Sequence, residues 1–452
     1  MVKLANAVLR ERGHETNAAD LLSDAIEAAD RLDATLGVFN ARFCAQATVT
    51  AQQLDALRDS RQGLRPLHGI PVAVKDLIFT AEAETTGQSA GYRSPTYPQV
   101  EGTAVRRLRE NGAVIVGKTS TMELGAGILD PASSAVVPRN PWDVDRWPGG
   151  SSSGSAIAVA TGMALAALGT DTGGSIRCPA ALCGVTGFMP THGAVPADGM
   201  IPGGVTYETI APLARSAEDC DSVFQVLIGQ DAEPLPAVSP RTVRIGVLDA
   251  LPGIDDVVTD RLSDAVRVFS GLGADVQILP LPNWSDLAAV AAVGTVAEHF
   301  SSLSGQLSER WERFGRSMRR VVALGGVLTA HDYLVSQQAR KVLMSRMRKA
   351  TETVDVLCLP TTPSEAPLLT DLSDIGGFAA LTSPVNALGW PSASVPMGMG
   401  DRGLPLGLQI VGKPHQDRAV LALAHLFQQE TGWHLLDPPI TRKGDGTRRD
   451  NG

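Results

Sequence analysis

Three short stretches carry residue types that could do chemistry. In HGIPVAVKD, residues 68–76, Lys75 directly follows the apolar run IPVAV. A lysine at a strand end points into the interior or a cleft. Desolvation there makes its proton easier to lose, which turns it into a base usable near neutral pH. On its own the stretch reads more readily as a surface lysine paired with Asp76. In GGSSS, residues 149–153, three serine hydroxyls follow a Gly pair. Alone, that pattern is a turn and a helix cap. In GTDTGGSIR, residues 169–177, the turn Gly173-Gly174-Ser175 can aim several adjacent backbone N–H groups at one point. Such a nest stabilises a developing oxyanion, although a tight packing turn needs the same residues.

A fourth stretch imitates a phosphate loop. GAVIVGKT, residues 112–119, satisfies the pattern GxxxxGK[ST]. A phosphate loop follows its strand and exposes its amides. Here the residues between the glycines, Ala113 to Val116, read as the strand itself, with Gly112 as the turn before it.

Elements that must position these residues follow from periodicity. Residues 17–32 predict an amphipathic helix capped by Asn17, with Leu21, Leu22, Ala25, Ile26, Ala29 and Leu32 on one stripe. A second helix is expected over 41–58. Then come a strand at 70–74, a helix at 103–111 and a strand at 113–116. Residues 147–177 read as loop, small-residue helix, short strand and second Gly-rich loop. Interleaved Ile157, Val159, Met163, Leu165 and Leu168 argue against a flexible linker there. After a connector at 229–240, residues 242–281 read strand, helix, strand. Long helices fill 284–350, a buried strand covers 355–359, and 392–398 with 404–412 form an antiparallel pair. This alternation predicts an α/β fold: a single large domain with a mixed central sheet surrounded by helices. Its expected limits are residues 1–436, with the N-terminal helices over about 1–60. A polar, disordered tail is expected over 437–452.

Composition narrows the function. The 452 residues are 44% hydrophobic and 19% charged with net charge −9, which fits a globular chain and gives no basic face for nucleic acid. Five widely spaced cysteines without CxxC argue for a reduced cytoplasmic protein. The eight histidines form no HExxH and no His/Cys cluster, so neither metal nor cofactor is expected. The longest small-apolar run, Ala156 to Leu168, is too short to span a bilayer, so no membrane partner is expected.

Taken together, the stretch GGSSSGSAIAVATGMALAALGTDTGGSIRCPAALCG resembles the defining segment of the amidase signature family. The resemblance extends to LHGIPVAVKD, GKTSTMELG, GVTGFMPTHG, ETIAPLARSAEDC and SPVNALGWPSASVPMG, and so covers most of residues 15–430. It implies a Ser-Ser-Lys triad: Ser175 as nucleophile, Ser151 as the bridging serine on a cis peptide bond, and Lys75 as base. It implies an oxyanion hole from the backbone N–H groups of Thr172, Gly173, Gly174 and Ser175. Ser152 matches a serine that supports the lysine, and Asp171 and Arg177 match residues that hold the loop. Ser153 stands where many members have Gly, and Ser120 where Asn is frequent.

The implied activity is hydrolysis of a carbon–nitrogen amide-type bond of a small molecule through an acyl-enzyme. The alternative within the family is the glutaminase subunit of an amidotransferase, delivering ammonia to a partner; the stretch after GFMPTHG is less like that form. A nucleotide-binding protein and an inactive scaffold are the readings from other classes. Expected partners are an aryl, alkyl, amino-acid, hydrazide or urea-like amide and, for the chain itself, a second copy in a homodimer. The substrate pocket is expected from Met122 to Ile128, Gly199 to Tyr207 and parts of 300–380.

Overall fold

Asn17 takes extended backbone, and its side chain accepts the Asp20 N–H at 2.7 Å, so the first helix starts at the expected cap. The computed structural model describes residues 16–59, 64–94, 100–126, 136–248, 253–280, 283–372 and 375–442. The chain runs α1 (Ala18–Leu36), β1 (Phe39–Arg42), α2 (Cys44–Asp59), β2 (Pro71–Lys75), α3 (Thr103–Glu110) and β3 (Val114–Thr119). It continues through α4 (Ser153–Thr161), β4 (Ala166–Asp171), α5 (Arg177–Cys183), β5 (Thr186–Met189), β6 (Thr209–Ala214) and α6 (Ala217–Ile228). Next come β7 (Arg244–Leu248), α7 (Asp256–Gly271), β8 (Asp275–Leu279), α8 (Trp284–Arg310), α9 (Arg316–Val327) and α10 (Ala330–Ala350). The last elements are β9 (Val356–Pro360), α11 (Ile375–Phe378), α12 (Ser383–Leu388), β10 (Ser392–Met399), β11 (Pro405–Val411) and α13 (Asp417–Thr431).

All eleven strands join one mixed sheet in the order β1-β3-β2-β4-β6-β5-β10-β11-β9-β7-β8. β2 runs parallel to β3 and β4, and β7 parallel to β8 and β9; the remaining pairs are antiparallel. This is the expected α/β architecture, a single large domain. Two large apolar clusters form its core. On β2, Val72 and Val74 enter one and Ala73 the other, as strand alternation requires.

Of the boundaries that differ from expectation, three bear on the readings above. The second helix begins at Cys44, not 41, because Phe39–Arg42 pairs with β3 as an edge strand. β3 runs three residues past Val116, so Gly117, Lys118 and Thr119 of the phosphate-loop pattern are themselves strand, in register with Ala73, Val74 and Lys75. A phosphate loop is thereby excluded at GAVIVGKT, whose amides serve the sheet. At the other end the described fold reaches Arg442, past residue 436: Arg215 pairs with Asp437 at 2.7 Å, and Pro439–Thr441 form a short helical turn. Residues 443–452 of the expected tail, and 1–15 of the expected N-terminal helices, lie outside the described residues.

Candidate active site

Lys75 ends β2 and is completely buried. Its Nζ lies 2.8 Å from Ser151 Oγ and 2.9 Å from Thr170 Oγ1, with the Thr170 carbonyl at 3.4 Å. Burial lowers its pKa from the usual lysine value to about 7, against the opposing pull of the Glu208 and Asp171 carboxylates. Burial therefore favours the neutral form of the amine, which carries a lone pair. Asp76 plays no part here. Its carboxylate accepts from Asn40 and Thr86 and lies 3.4 Å from Lys118 Nζ. The pairing of Lys75 with Asp76 is thus not formed.

The two serine loops meet beneath α4 and α5. The Gly150–Ser151 peptide bond is cis. Ser152 N–H donates to the Ser175 carbonyl at 3.1 Å, which ties one loop to the other. α4 must sit very close for this: a Cβ on Gly154 would lie 2.5 Å from the Val38 carbonyl oxygen and 2.7 Å from Ser120 N. Ser120 itself donates to the Gly37 carbonyl at 2.7 Å, which ties it to the end of α1. Ser153 Oγ caps back onto the Gly149 carbonyl at 2.6 Å.

Asp171 shapes the second loop. It accepts from Gly174 N–H at 2.7 Å and Ile176 N–H at 3.1 Å, and it holds Arg177 through Nε at 3.0 Å and Nη2 at 2.9 Å. Burial pushes the Asp171 carboxyl up, but the Arg177 guanidinium and the Asn386 amide outweigh it and hold the group at about 2. Arg177 also donates to Gln409, Asn386 and the Thr382 carbonyl, so no charge in this buried pair is left unsatisfied.

One expectation is corrected here. The Gly174 N–H is spent on Asp171 and does not belong to the nest facing the cavity. The amides of Thr172, Gly173 and Ser175 remain without an acceptor among the described residues. Ser152 makes no direct hydrogen bond to Lys75, which its expected supporting role does not require. Its hydroxyl donates to the Thr170 carbonyl at 3.2 Å, and it therefore supports the lysine only through Thr170.

Ser151 and Ser175, with Thr172, Gly173 and Gly174, line a cavity of about 320 Å³. Its other described walls include Met122, Trp147, Ile375, Phe378, Ala379 and one face of α8, from Ala288 to His299. Met122 and parts of 300–380 match the expected pocket segments. Residues 127 and 128 lie outside the described residues. Gly199–Tyr207 does not line the cavity, and α8 supplies the wall from residues before 300. By length and composition α8, continued to Arg313, could cross a membrane. In this fold it packs on α9, α10 and α12.

Cys178 also lines the cavity, but burial pushes its thiol up to about 12, which keeps it protonated. No cluster of three or more His, Cys, Asp or Glu that could hold a metal occurs among the described residues. Sequence reasoning missed Thr170, Glu208, His299 and Asn386. Thr170, Glu208 and Asn386 lie inside stretches already quoted, GTDTGGSIR, ETIAPLARSAEDC and SPVNALGWPSASVPMG, but nothing local marks them out there, and His299 lies in none of them.

Comparison with known proteins gives the family and the fold. A family model described as Amidase matches residues 20–421. A subunit of the glutamyl-tRNA(Gln) amidotransferase of Symbiobacterium thermophilum is 37% identical, with 95% of this chain and 97% of that protein covered. Among solved structures, an amidase superposes with TM-score 0.88 at 32% identity, covering 95% of this chain and 99% of the other. A peptide amidase bound to the competitive inhibitor chymostatin superposes with TM-score 0.84 at 27% identity, covering 97% and 99%.

Proposed function

The chain belongs to the amidase family, and from that premise we propose that it hydrolyses the carbon–nitrogen bond of an uncharged, largely apolar small-molecule amide through Ser175. The observation that carries this reading is the buried Lys75–Ser151 contact of 2.8 Å opening on a cavity that also holds Ser175. Neutral Lys75 takes the Ser151 proton while Ser151 takes that of Ser175, whose oxygen attacks the carbonyl carbon. The free amides of Thr172, Gly173 and Ser175 stabilise the oxyanion. The proton on Lys75 returns through Ser151 to the leaving nitrogen, the C–N bond breaks, and an acyl ester of Ser175 remains. Water then loses a proton to the same relay, attacks the ester and releases the acid. The cycle needs no group beyond these side chains and water.

The cavity wall supports the substrate class. Its described lining contains no Lys, Arg, Asp or Glu; His299 and Cys178 are its titratable side chains. An apolar acyl group gains from burial there, whereas a zwitterion would have to desolvate its charges unpaired. The five free cysteines support a reducing, cytoplasmic setting.

A second reading has its own support. The relative from Symbiobacterium thermophilum belongs to an amidotransferase, and by sequence similarity it favours the glutaminase alternative, with a protein partner receiving ammonia. The test is release of ammonia or amine from a panel of aryl and alkyl amides and from free glutamine. The proposal expects kcat/KM for the best apolar amide to exceed that for glutamine by about 100-fold or more. The reverse order would establish the glutaminase reading.

A further inference from the structure

We infer that Thr382, the cap residue of α12, is a positioning residue for the oxyanion nest: its hydroxyl holds the Gly173 carbonyl and so fixes the direction of the amides on either side. The inference rests on the proposed role of the nest and names what aims it.

In a planar trans peptide the carbonyl and the next residue's N–H point in opposite directions, so a held carbonyl fixes the amide across the plane. Three carbonyls around the nest are held in this way. The Asp171 carbonyl accepts from Asn386 Nδ2 at 3.2 Å and sets the Thr172 N–H. The Gly174 carbonyl accepts the Cys178 N–H at 2.8 Å and sets the Ser175 N–H. Between them, the Gly173 carbonyl accepts from Thr382 Oγ1 at 2.6 Å. Across that plane lies the Gly174 N–H, held by Asp171 Oδ1 at 2.7 Å. The 173–174 peptide is thus pinned at both ends. It needs to be, because a glycine on each side gives the plane little steric resistance to rotation. The fit is close: Gly174 has φ +121°, and a Cβ there would collide with Thr382 Oγ1.

The Thr382 hydroxyl has one proton and two carbonyls within reach. The Ala379 carbonyl lies at 3.4 Å but already accepts the Thr382 and Ser383 N–H groups at 3.2 and 2.8 Å. The Gly173 carbonyl is nearer and has no other partner among the described residues, so the proton goes there. Thr382 is itself fixed. It is fully buried, and its carbonyl accepts from Arg177 Nη1 at 3.0 Å, while Nη2 of the same guanidinium holds Asp171. Thr382 and Asn386 stand one helical turn apart, and each takes one carbonyl of the loop. Just before them, Ile375, Phe378 and Ala379 line the cavity, so one stretch of chain builds the apolar wall and aims the nest. Without the hydroxyl, the Gly174 N–H stays on Asp171 but the Gly173 carbonyl is released. The plane then swings about one end, and the Gly173 and Ser175 amides lose their common aim. None of the hydrogen bonds of Lys75 involves this plane, so the rate should respond and its pH midpoint should not.

A fluorophosphonate probe reads the nest without the natural amide, because its phosphoryl oxygen takes the place of the oxyanion. Its rate of reaction at Ser175 is followed against pH in wild type, Thr382→Val, Thr382→Ala and Thr382→Ser. Ser175→Ala is the blank, and thermal melting checks folding. Valine keeps the shape and loses the hydroxyl; serine keeps the hydroxyl and loses the methyl. Thr382→Val is expected to lower the plateau rate about tenfold with the acid limb unmoved, and Thr382→Ser to stay within about twofold of wild type. Thr382→Ala should fall with the valine variant, and carries the comparison alone if that variant does not fold. A purely structural Thr382 would lower the melting temperature and leave the rate per folded molecule in place. That result, a serine variant as slow as valine, or a displaced acid limb overturns the inference and leaves the proposed function standing. If wild-type Ser175 is not modified at all, the proposed function falls and the inference with it.

Discussion

Two of the described lysines are buried, one strand apart, and only one of them lies beside a serine that lines the cavity. Lys75 and Lys118 sit at the ends of the parallel neighbours β2 and β3, with exposures of 0% and 1%. Burial is the first cause of a lowered pKa in both, to about 7 for Lys75 and about 8 for Lys118. The shift alone does not separate them. Their partners do. Lys118 has Asp76 at 3.4 Å, donates to Thr85 Oγ1 at 2.6 Å and bonds the Ile78 carbonyl. Nothing in that set is a nucleophile, and neither Lys118 nor these partners line the cavity. Lys75 has no carboxylate in contact and faces a serine that does line it. A buried base without a counter-ion stays poised to change charge; one with a counter-ion is fixed structure.

The largest expected effect is on the Lys75 side of this contrast. Ser175→Ala, Lys75→Met and Lys75→Arg should each lower kcat/KM on the best amide by on the order of 10⁴-fold or more. Arginine fails because it keeps its proton in a protein. Activity within tenfold of wild type in Lys75→Arg would show that charge, not basicity, is what the position supplies. Lys75→Met should not unfold the protein, since the lost group was a desolvated amine.

Lys118→Met should give the opposite pattern. It leaves the buried Asp76 without its cation, at a cost of about 3–5 kcal/mol by denaturant unfolding, while activity per folded molecule stays within about tenfold of wild type. Unchanged stability with lost activity would reverse the roles assigned to the two lysines.

A smaller but diagnostic effect is the pH profile. A group whose pKa falls on folding holds fewer protons than in the unfolded chain, so Lys75 is charged below about 7 and neutral above it. The rate should therefore fall on the acid side with a midpoint near that value and hold into the alkaline range. A profile flat through neutrality would reject Lys75 as the base.

The same contrast shows what was legible in the sequence. Lys75, Ser151 and Ser175 stand in short motifs whose residue types announce a base and hydroxyls, and the structure brings Lys75 to Ser151 and both serines to one cavity. Alternation along IPVAVKD sends Asp76 away from Lys75, as it does in the fold. Lys118 was legible only as part of a stretch that imitates a phosphate loop, beyond the expected end of the strand; its ion pair with Asp76 joins residues 42 positions apart. Thr170, Glu208 and His299 were not legible, because their relation to the site is made by the β4–β6 register and by where α8 lands. No local pattern encodes either. Gly174 reads like its neighbours because a Gly-rich turn looks uniform in sequence, and only the position of Asp171 shows that one of its amides turns inward. The edge strand β1 merges into the following helix on the same grounds: four residues carry too little periodicity to outvote the helix beside them.

The smallest expected effect concerns the other group in the cavity with a nucleophilic atom. Cys178 follows Ser175 by three residues and lines the same wall, so sequence position alone makes it a rival. Its chemistry argues otherwise. A nucleophilic cysteine needs its thiolate, and a thiol at about 12 is ionised at neutral pH in on the order of one molecule in 10⁵. The cause is burial, only partly opposed by the Gly150 backbone and Arg177, while Asp171 pushes the same way. The side chain packs with Met122, Trp147 and Phe378, where it acts as a small apolar wall residue. Cys178→Ala should keep kcat within about threefold of wild type and raise KM for bulky apolar amides modestly, since about one methylene-sized contact is lost. Thiol reagents small enough to enter the cavity should inactivate slowly, whereas a fluorophosphonate should react at Ser175. Loss of kcat by more than about tenfold in Cys178→Ala, with Ser175→Ala still active, would move the nucleophile three residues along the chain and dissolve the contrast between the two lysines, because Lys75 would then have no serine to serve.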